Sequence, residues 1–176
     1  MNLTCTDCRK EIETLPLQCA HSININSETN QWECYMENCG NISINEFVCE
    51  SCCTNRNIMK LSKTIERLSL ENEEFKEELT FFKKNVVQTK ITNSDFKFWT
   101  EFGNGVYLCG KGVKDNPSVI FTCPQKTMDL ILEGKLEPFD EFFNGNLKID
   151  GDLQYALVIF DLIKLALEIT KETGGV

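Results

Sequence analysis

Apolar residues recur every three or four positions from Ile58 onward: Ile58, Leu61, Ile65, Leu68, Phe75, Leu79 and Phe82, with Asn72 as the one polar entry in the seam. That spacing predicts a connecting helix over 55–84. A heptad seam with one buried Asn is also the pattern of a two-stranded coiled coil. Two readings stay open: pairing of two chains through 58–82, with Glu71 and Lys76 on the flanks, and packing of a monomeric helix's second half on the sheet that follows. Both can hold, with the first half pairing between chains and the second half docking in cis. Asn72→Ile is expected to strengthen or change association under the first. After Lys84 the period becomes two, and 86–92, 95–102, 106–109 and 118–122 read as strands separated by turn residues. In the second strand Phe96, Phe98, Thr100 and Phe102 share one face, opposite Lys97, Trp99 and Glu101.

Thr122 and Gln125 read as a capping box with Pro124 in the first turn, opening a helix through Leu132 that stops at Gly134. Pro138 opens a short helix over 139–144 closed by Gly145. Leu147 and Ile149 alternate in a fifth strand, Gly151 breaks it, and Asp152 caps the last helix. That helix has a narrow polar stripe, Gln154, Asp161, Lys164, Glu168 and Lys171, and is otherwise apolar. An amphipathic surface helix needs a much narrower apolar face. A captive lipid, a partner protein or a membrane is therefore expected to cover what its own domain does not.

Composition narrows the classes. The apolar fraction of 41% is ordinary, and no apolar run approaches the ~20 residues needed to span a bilayer. With 27 acidic and 18 basic residues the net charge is −9, and the chain shows no basic cluster along its length. This disfavours nucleic-acid binding and stable attachment to anionic membranes, both of which draw on Lys and Arg. The first residues carry neither a basic start nor an apolar stretch, so the expected location is cytoplasmic, where thiols stay reduced.

Ten cysteines in that setting point to metal. Eight precede residue 54, and the candidate ligands form four pairs: Cys5 and Cys8, Cys19 and His21, Cys34 and Cys39, Cys49 and Cys52. Two ligands on one tight turn can hold one ion, so eight fit two tetrahedral zincs, and residues 1–54 read as a zinc-binding module. Cys53 competes with Cys52 for the eighth place. A single zinc on Cys5, Cys8, Cys34 and Cys39, or a set of reduced thiols with no metal, are the other readings. About fifty mostly polar residues rarely form a sufficient core, which favours a staple. With every position held by protein, the zinc is structural. Pairs in this order resemble cross-brace modules such as RING and PHD fingers. In those the first and third pairs share one metal and the second and fourth the other. The resemblance implies a docking role toward a protein partner.

A second resemblance rests on residues 116–122 and 128–153: Asn116-Pro-Ser-Val-Ile-Phe-Thr, then Met128 to Leu153 with Gly134-Lys135, Pro138-Phe139, Phe142-Phe143 and Gly145-Asn-Leu-Lys-Ile-Asp-Gly151. This run is similar to the sterol carrier protein-2 domain, and the order of elements agrees over 65–176. The resemblance implies an α+β fold, a five-stranded, mainly antiparallel sheet covered by helices with a lipid tunnel between. It places Phe98, Phe121, Leu130, Phe142, Phe143, Leu157 and Phe160 in the tunnel lining; plain core packing is the competing reading for each.

No nucleophile–base pair, nucleotide loop or open metal site is recognisable, so no catalysis is expected. Cys109 and Cys123 read as small buried hydrophobes. The functional expectation is an intracellular sterol or fatty acyl carrier with a structural zinc module. The alternative is a zinc-finger adaptor or RING-like ubiquitin ligase using the carboxy-terminal fold as a scaffold.

Overall fold

The structure is a computed structural model that describes residues 3–12, 23–26, 28, 31–34, 41–43 and 48–172. The chain divides into two compact units, Met1–Thr54 and Asn55–Val176.

In the first unit β1 (Leu3–Thr4) pairs antiparallel with β2 (Glu11–Ile12) across a turn that holds Cys5 and Cys8. A three-stranded antiparallel sheet follows, β3 (Ile23–Asn26), β4 (Gln31–Cys34) and β5 (Asn41–Ser43). Strands of two to four residues are too short to show a reliable hydrophobic period. Sequence patterning therefore misses them. Helix α1 (Glu50–Glu71) starts in this unit and supplies the second unit with its first helix.

The second unit continues with α2 (Glu73–Thr80), β6 (Asn85–Ile91), β7 (Lys97–Gly103), β8 (Val106–Lys111), β9 (Val119–Cys123), α3 (Gln125–Leu132), α4 (Pro138–Phe143), β10 (Lys148–Gly151) and α5 (Leu153–Glu172). The five strands lie in the order β10-β9-β6-β7-β8. Pairing of β6 with β9 is parallel and the other three pairings are antiparallel. The unit is thus the α+β fold with a mainly antiparallel five-stranded sheet that the sequence led us to expect.

Period-two alternation puts Val87, Thr89 and Ile91 of β6, Phe98, Thr100 and Phe102 of β7, Tyr107 and Cys109 of β8, and Val119, Phe121 and Cys123 of β9 into the interior. They join one core with Phe75, Leu79, Ile131, Ile159 and Ile163 from the helices. Between them, on β6 and β7, lie Gln88, Trp99 and Glu101. The loop after β8 is tied to these residues. Gln88 Nε2 donates to Phe98 O and Gly112 O, and its Oε1 accepts from Lys114 N. Lys114 Nζ sits 3.8 Å from the Trp99 ring centre and pairs with Glu101, as does Lys84. Gly110 makes room for this arrangement, since a Cβ there would lie 2.6 Å from the Trp99 ring.

The helical seam departs from its expected form. The run is broken at Asn72, which is the N-cap of α2 in extended backbone, its side chain accepting from Phe75 N at 2.8 Å. Ile58, Ile65, Phe75 and Leu79 are buried in the core of their own unit, with Leu61, Leu68 and Phe82 packed against it. The expected continuous helix over 55–84 is therefore corrected to two helices, α1 and α2, that pack on their own unit. The cap has a measurable consequence: Asn72→Ala is expected to lower stability by about 1 kcal/mol in urea unfolding. Asn72→Ile should likewise weaken the fold rather than strengthen an association.

The cap of α3 also differs. Its N-cap is Pro124, with no capping side chain of its own. Gln125 N instead donates to Asn93 Oδ1 at 3.0 Å, from the β6–β7 turn, while Thr122 stays in β9. Asp152 caps α5 as expected, accepting from Gln154 N at 2.9 Å. Gly151 holds this entry open. Its φ is +113°, and a Cβ there would meet Ser118 O at 2.2 Å.

Candidate functional site

The last helix is covered by its own unit along most of its length. Ala156, Ile159, Phe160, Leu162, Ile163, Ala166, Ile169 and Thr170 are buried, on a helix that packs on β9 and β10 and borders α1 farther along. Packing on the sheet covers one side of its broad apolar surface, while on the side toward α1 the two helices border a cavity. Leu153 and Leu157, in its first two turns, remain exposed. Among the described residues no helix is long and apolar enough to cross a membrane.

The residues expected to line a tunnel fall into three groups. Phe98, Phe121 and Phe160 are core residues. Phe121 and Phe160 stack at 4.8 Å between ring centres, and Phe139 meets Phe160 edge-on at 6.3 Å. The aromatic stack occupies the place between sheet and helix. Leu130 and Phe142 are half-buried. Phe143 is 79% exposed and Leu157 47% exposed, so neither lines an interior space: helical rotation turns both toward solvent. A hollow of about 20 Å³ lies beneath α5, bordered by Ile131, Leu136, Phe160, Ile163 and Leu167 among others. It has room for about one water.

A larger cavity lies between α1 and α5. It measures about 720 Å³ and is lined by Asn57, Lys60, Leu61, Lys63, Thr64 and Arg67 of α1 and Leu167, Thr170 and Lys171 of α5. This is within the ~300–1,000 Å³ of small-ligand sites. Leu61 and Leu167 supply its apolar surface; Lys60, Lys63, Arg67 and Lys171 supply four cations, with no carboxylate in the lining. Lys63 is fixed by an ion pair with Glu66 and by donating to Cys109 O at 3.2 Å. Its bond to the Glu66 carboxylate raises the amine above its ordinary value, keeping it charged. The expectation of no basic cluster is corrected by this groove. Positions 60, 63, 64 and 67 share a helix face at i, i+3, i+4 and i+7. That spacing was the available signal, but Lys171 joins them only through folding.

The first unit holds the other candidate site. Cys5, Cys8, Cys49 and Cys52 place their sulfurs within 4.8 Å of one another, a group able to hold a metal ion. Cys5 is buried, Cys49 half-buried and Cys8 exposed. Burial opposes ionisation of Cys5, but the N–H groups of Cys49, Cys8 and Asp7, with the Cys8 side chain, bring its thiol down to about 6. Burial pushes Cys49 up. Among the described residues the first cysteine pair thus meets the fourth. The cross-brace pairing and the single zinc on Cys5, Cys8, Cys34 and Cys39 both draw on Cys39, which lies outside the described residues. Spacing shows which two thiols share a turn, whereas the chain path decides which turns meet. Cys52 is the member of the cluster, and Cys53, on the next position of α1, is exposed. Cys34 lies at the end of β4, while Cys19, His21 and Cys39 lie outside the described residues.

A family model described as the SCP-2 sterol transfer family matches residues 63–164, more than half of the chain. The chain belongs to this family. No curated protein matches it. Among solved structures, it is similar to the sterol carrier protein domain 2 of Helicoverpa armigera, with 23% identity over 62% of this chain and 87% of that one and a TM-score of 0.47. Sterol carrier protein 2 from Yarrowia lipolytica, in its apo form, is 19% identical over 60% and 88%, with a TM-score of 0.48. The sec-alkylsulfatase Pisa1 from Pseudomonas sp. is 19% identical over 49% of this chain, with a TM-score of 0.45, and the match spans only 14% of the sulfatase. The SCP-2 match begins within α1 and ends within α5. Of the groove lining, Lys63, Thr64 and Arg67 fall inside it; Asn57, Lys60, Leu61, Leu167, Thr170 and Lys171 lie beyond its ends.

Proposed function

We propose that this SCP-2 family member is a binding or transfer protein for a lipid with a long fatty acyl chain and an anionic head, seated in the groove between α1 and α5. The observation that carries the reading is the groove, whose cations gather around Leu61 and Leu167 in a chain of net charge −9. Burial of each methylene is worth about 0.8 kcal/mol, so an acyl chain of about sixteen carbons gains more than 10 kcal/mol gross. Several kcal/mol of association and ordering cost offset part of this. The hydrocarbon supplies affinity and the cations select the head.

The reading is of a binder rather than a catalyst. Cys109 donates to Glu66 Oε2 at 3.2 Å, and burial together with that carboxylate pushes its thiol up to about 12, which leaves it a poor nucleophile. Burial pushes Cys123 up to about 12 as well. The amino-terminal unit is the proposed docking module for a protein partner. Structural zinc is its proposed cofactor: one ion at the four-thiol group, and a second drawing on Cys19, His21, Cys34 and Cys39.

Uptake of a fluorescent fatty acid tests the lipid reading. Saturable uptake by the wild-type chain is expected, weakened about tenfold in Lys60→Glu/Arg67→Glu. Exposed charge contacts are worth roughly 0.2–1 kcal/mol each, and reversal replaces attraction with repulsion. A neutral acyl alcohol probe should be affected far less. No uptake by the wild-type chain, or equal loss for both probes, would sink this assignment.

A further inference from the structure

Zinc bonds thiolate sulfur at about 2.3 Å, so two sulfurs on one regular tetrahedron lie about 3.8 Å apart. Cys8 Sγ and Cys49 Sγ are 3.8 Å apart. A disulfide would need about 2.05 Å. The surrounding backbone favours sulfur anions. Cys49 N donates to Cys5 Sγ at 3.3 Å. Cys5 and Cys8 sit on a closed turn in which Arg9 N donates to Cys5 O at 3.0 Å and Cys5 N to Lys10 O at 2.9 Å. Arg9 adopts φ +61°, which bends the chain back toward β2.

The other two thiols belong to the start of a helix. Cys49 immediately precedes α1 and Cys52 lies in its first turn. Cys53 N donates to Cys49 O at 2.9 Å, so the helical backbone is already formed between the two thiols. Helix N-termini favour negative charge and lower the pKa of a thiol. They also carry amides without intrahelical partners, so they are the place where a helix frays.

We propose that Cys5, Cys8, Cys49 and Cys52 bind one zinc ion as a tetrathiolate centre that clamps the first turn of α1. Each thiol gives up its proton to solvent and one sulfur lone pair to the metal, which leaves a doubly negative centre at the positive end of the helix. All four positions are held by protein, with none open to water, so the ion is structural. The same helix, farther on, supplies six of the nine side chains that line the groove. The inference rests on the zinc reading of the amino-terminal unit and is independent of which ligand fills the groove.

Metal content of the full chain, purified under reduction, is the first test. Cys8→Ser and Cys52→Ser should each bind one zinc fewer than the wild type, and Cys53→Ser should bind as much as the wild type. An unchanged count in Cys52→Ser, or a loss in Cys53→Ser, overturns the ligand set. Cobalt replacement keeps the test decisive if the serine variants misfold. The wild-type chain should show the intense visible bands and sulfur-to-metal charge transfer of tetrahedral cobalt thiolate; weak octahedral absorption overturns the centre.

Chelation should then raise amide exchange over residues 53–57 by about tenfold or more, as a helix end opens locally. Unchanged exchange overturns the clamp even where metal is bound. Fluorescent fatty acid uptake on the same samples separates the two readings. Zinc-loaded protein that takes up no probe refutes the lipid assignment alone, and protein that binds lipid yet never binds zinc refutes the metal centre alone.

Discussion

Phe160→Ala is expected to lower the unfolding free energy by about 3–5 kcal/mol, the usual cost of truncating a buried aromatic ring. Phe160 is buried, stacks on Phe121 at 4.8 Å and makes a T-shaped contact with Phe139 at 6.3 Å. Removing the ring forfeits its transfer free energy and both ring contacts, and it enlarges the small hollow that Phe160 borders. The space so made is apolar and should stay dry. A fatty acyl probe that reaches it should restore part of the lost stability, by an amount that grows with the logarithm of free probe concentration. Urea unfolding with and without probe measures both effects. A loss below about 1 kcal/mol would mean that the place between sheet and α5 is not filled as described.

Leu167→Trp should abolish most fatty acid uptake, by tenfold or more, equivalent to at least about 1.4 kcal/mol. Leu167 lines the groove on one side and the small hollow on the other. It is half-buried, so an indole can extend into the groove with a modest cost to packing. It would occupy the floor that the acyl chain needs. The transition temperature should change little. Leu167→Ala is the matched control: it joins groove and hollow and should retain or improve uptake. Unchanged uptake in Leu167→Trp would place the ligand elsewhere on the protein.

Local features were legible because their causes are local. The alternation in β6, β7 and β9, the Pro138 start of α4, and Asp152 at the head of α5 each depend on residues a few positions apart. Asn72 shows where a local pattern can be read two ways. It sits in heptad register, yet Glu73 and Glu74 follow it and Phe75 N lies three residues on, which is the signature of a helix start. A heptad argument counts apolar positions and does not ask whether the backbone continues. The tunnel residues show a different limit. A Phe that lines a space and a Phe that fills it have the same period, and only the ring geometry of Phe121 and Phe160 separates them.

By itself, then, the amino-acid order determined the five strands of the second unit, several helix ends, the kinship of residues 63–164 with sterol carriers and the closeness of Cys5 to Cys8 and of Cys49 to Cys52. Folding in three dimensions alone decided that Cys5 and Cys8 meet Cys49 and Cys52, that Asn93 rather than Thr122 caps α3, and that Lys171 joins the cations of α1 in one groove lining. The reason is physical. Hydrogen-bond period and turn chemistry act over a few residues, while the choice of contact between distant segments is made by the free energy of the whole packed unit.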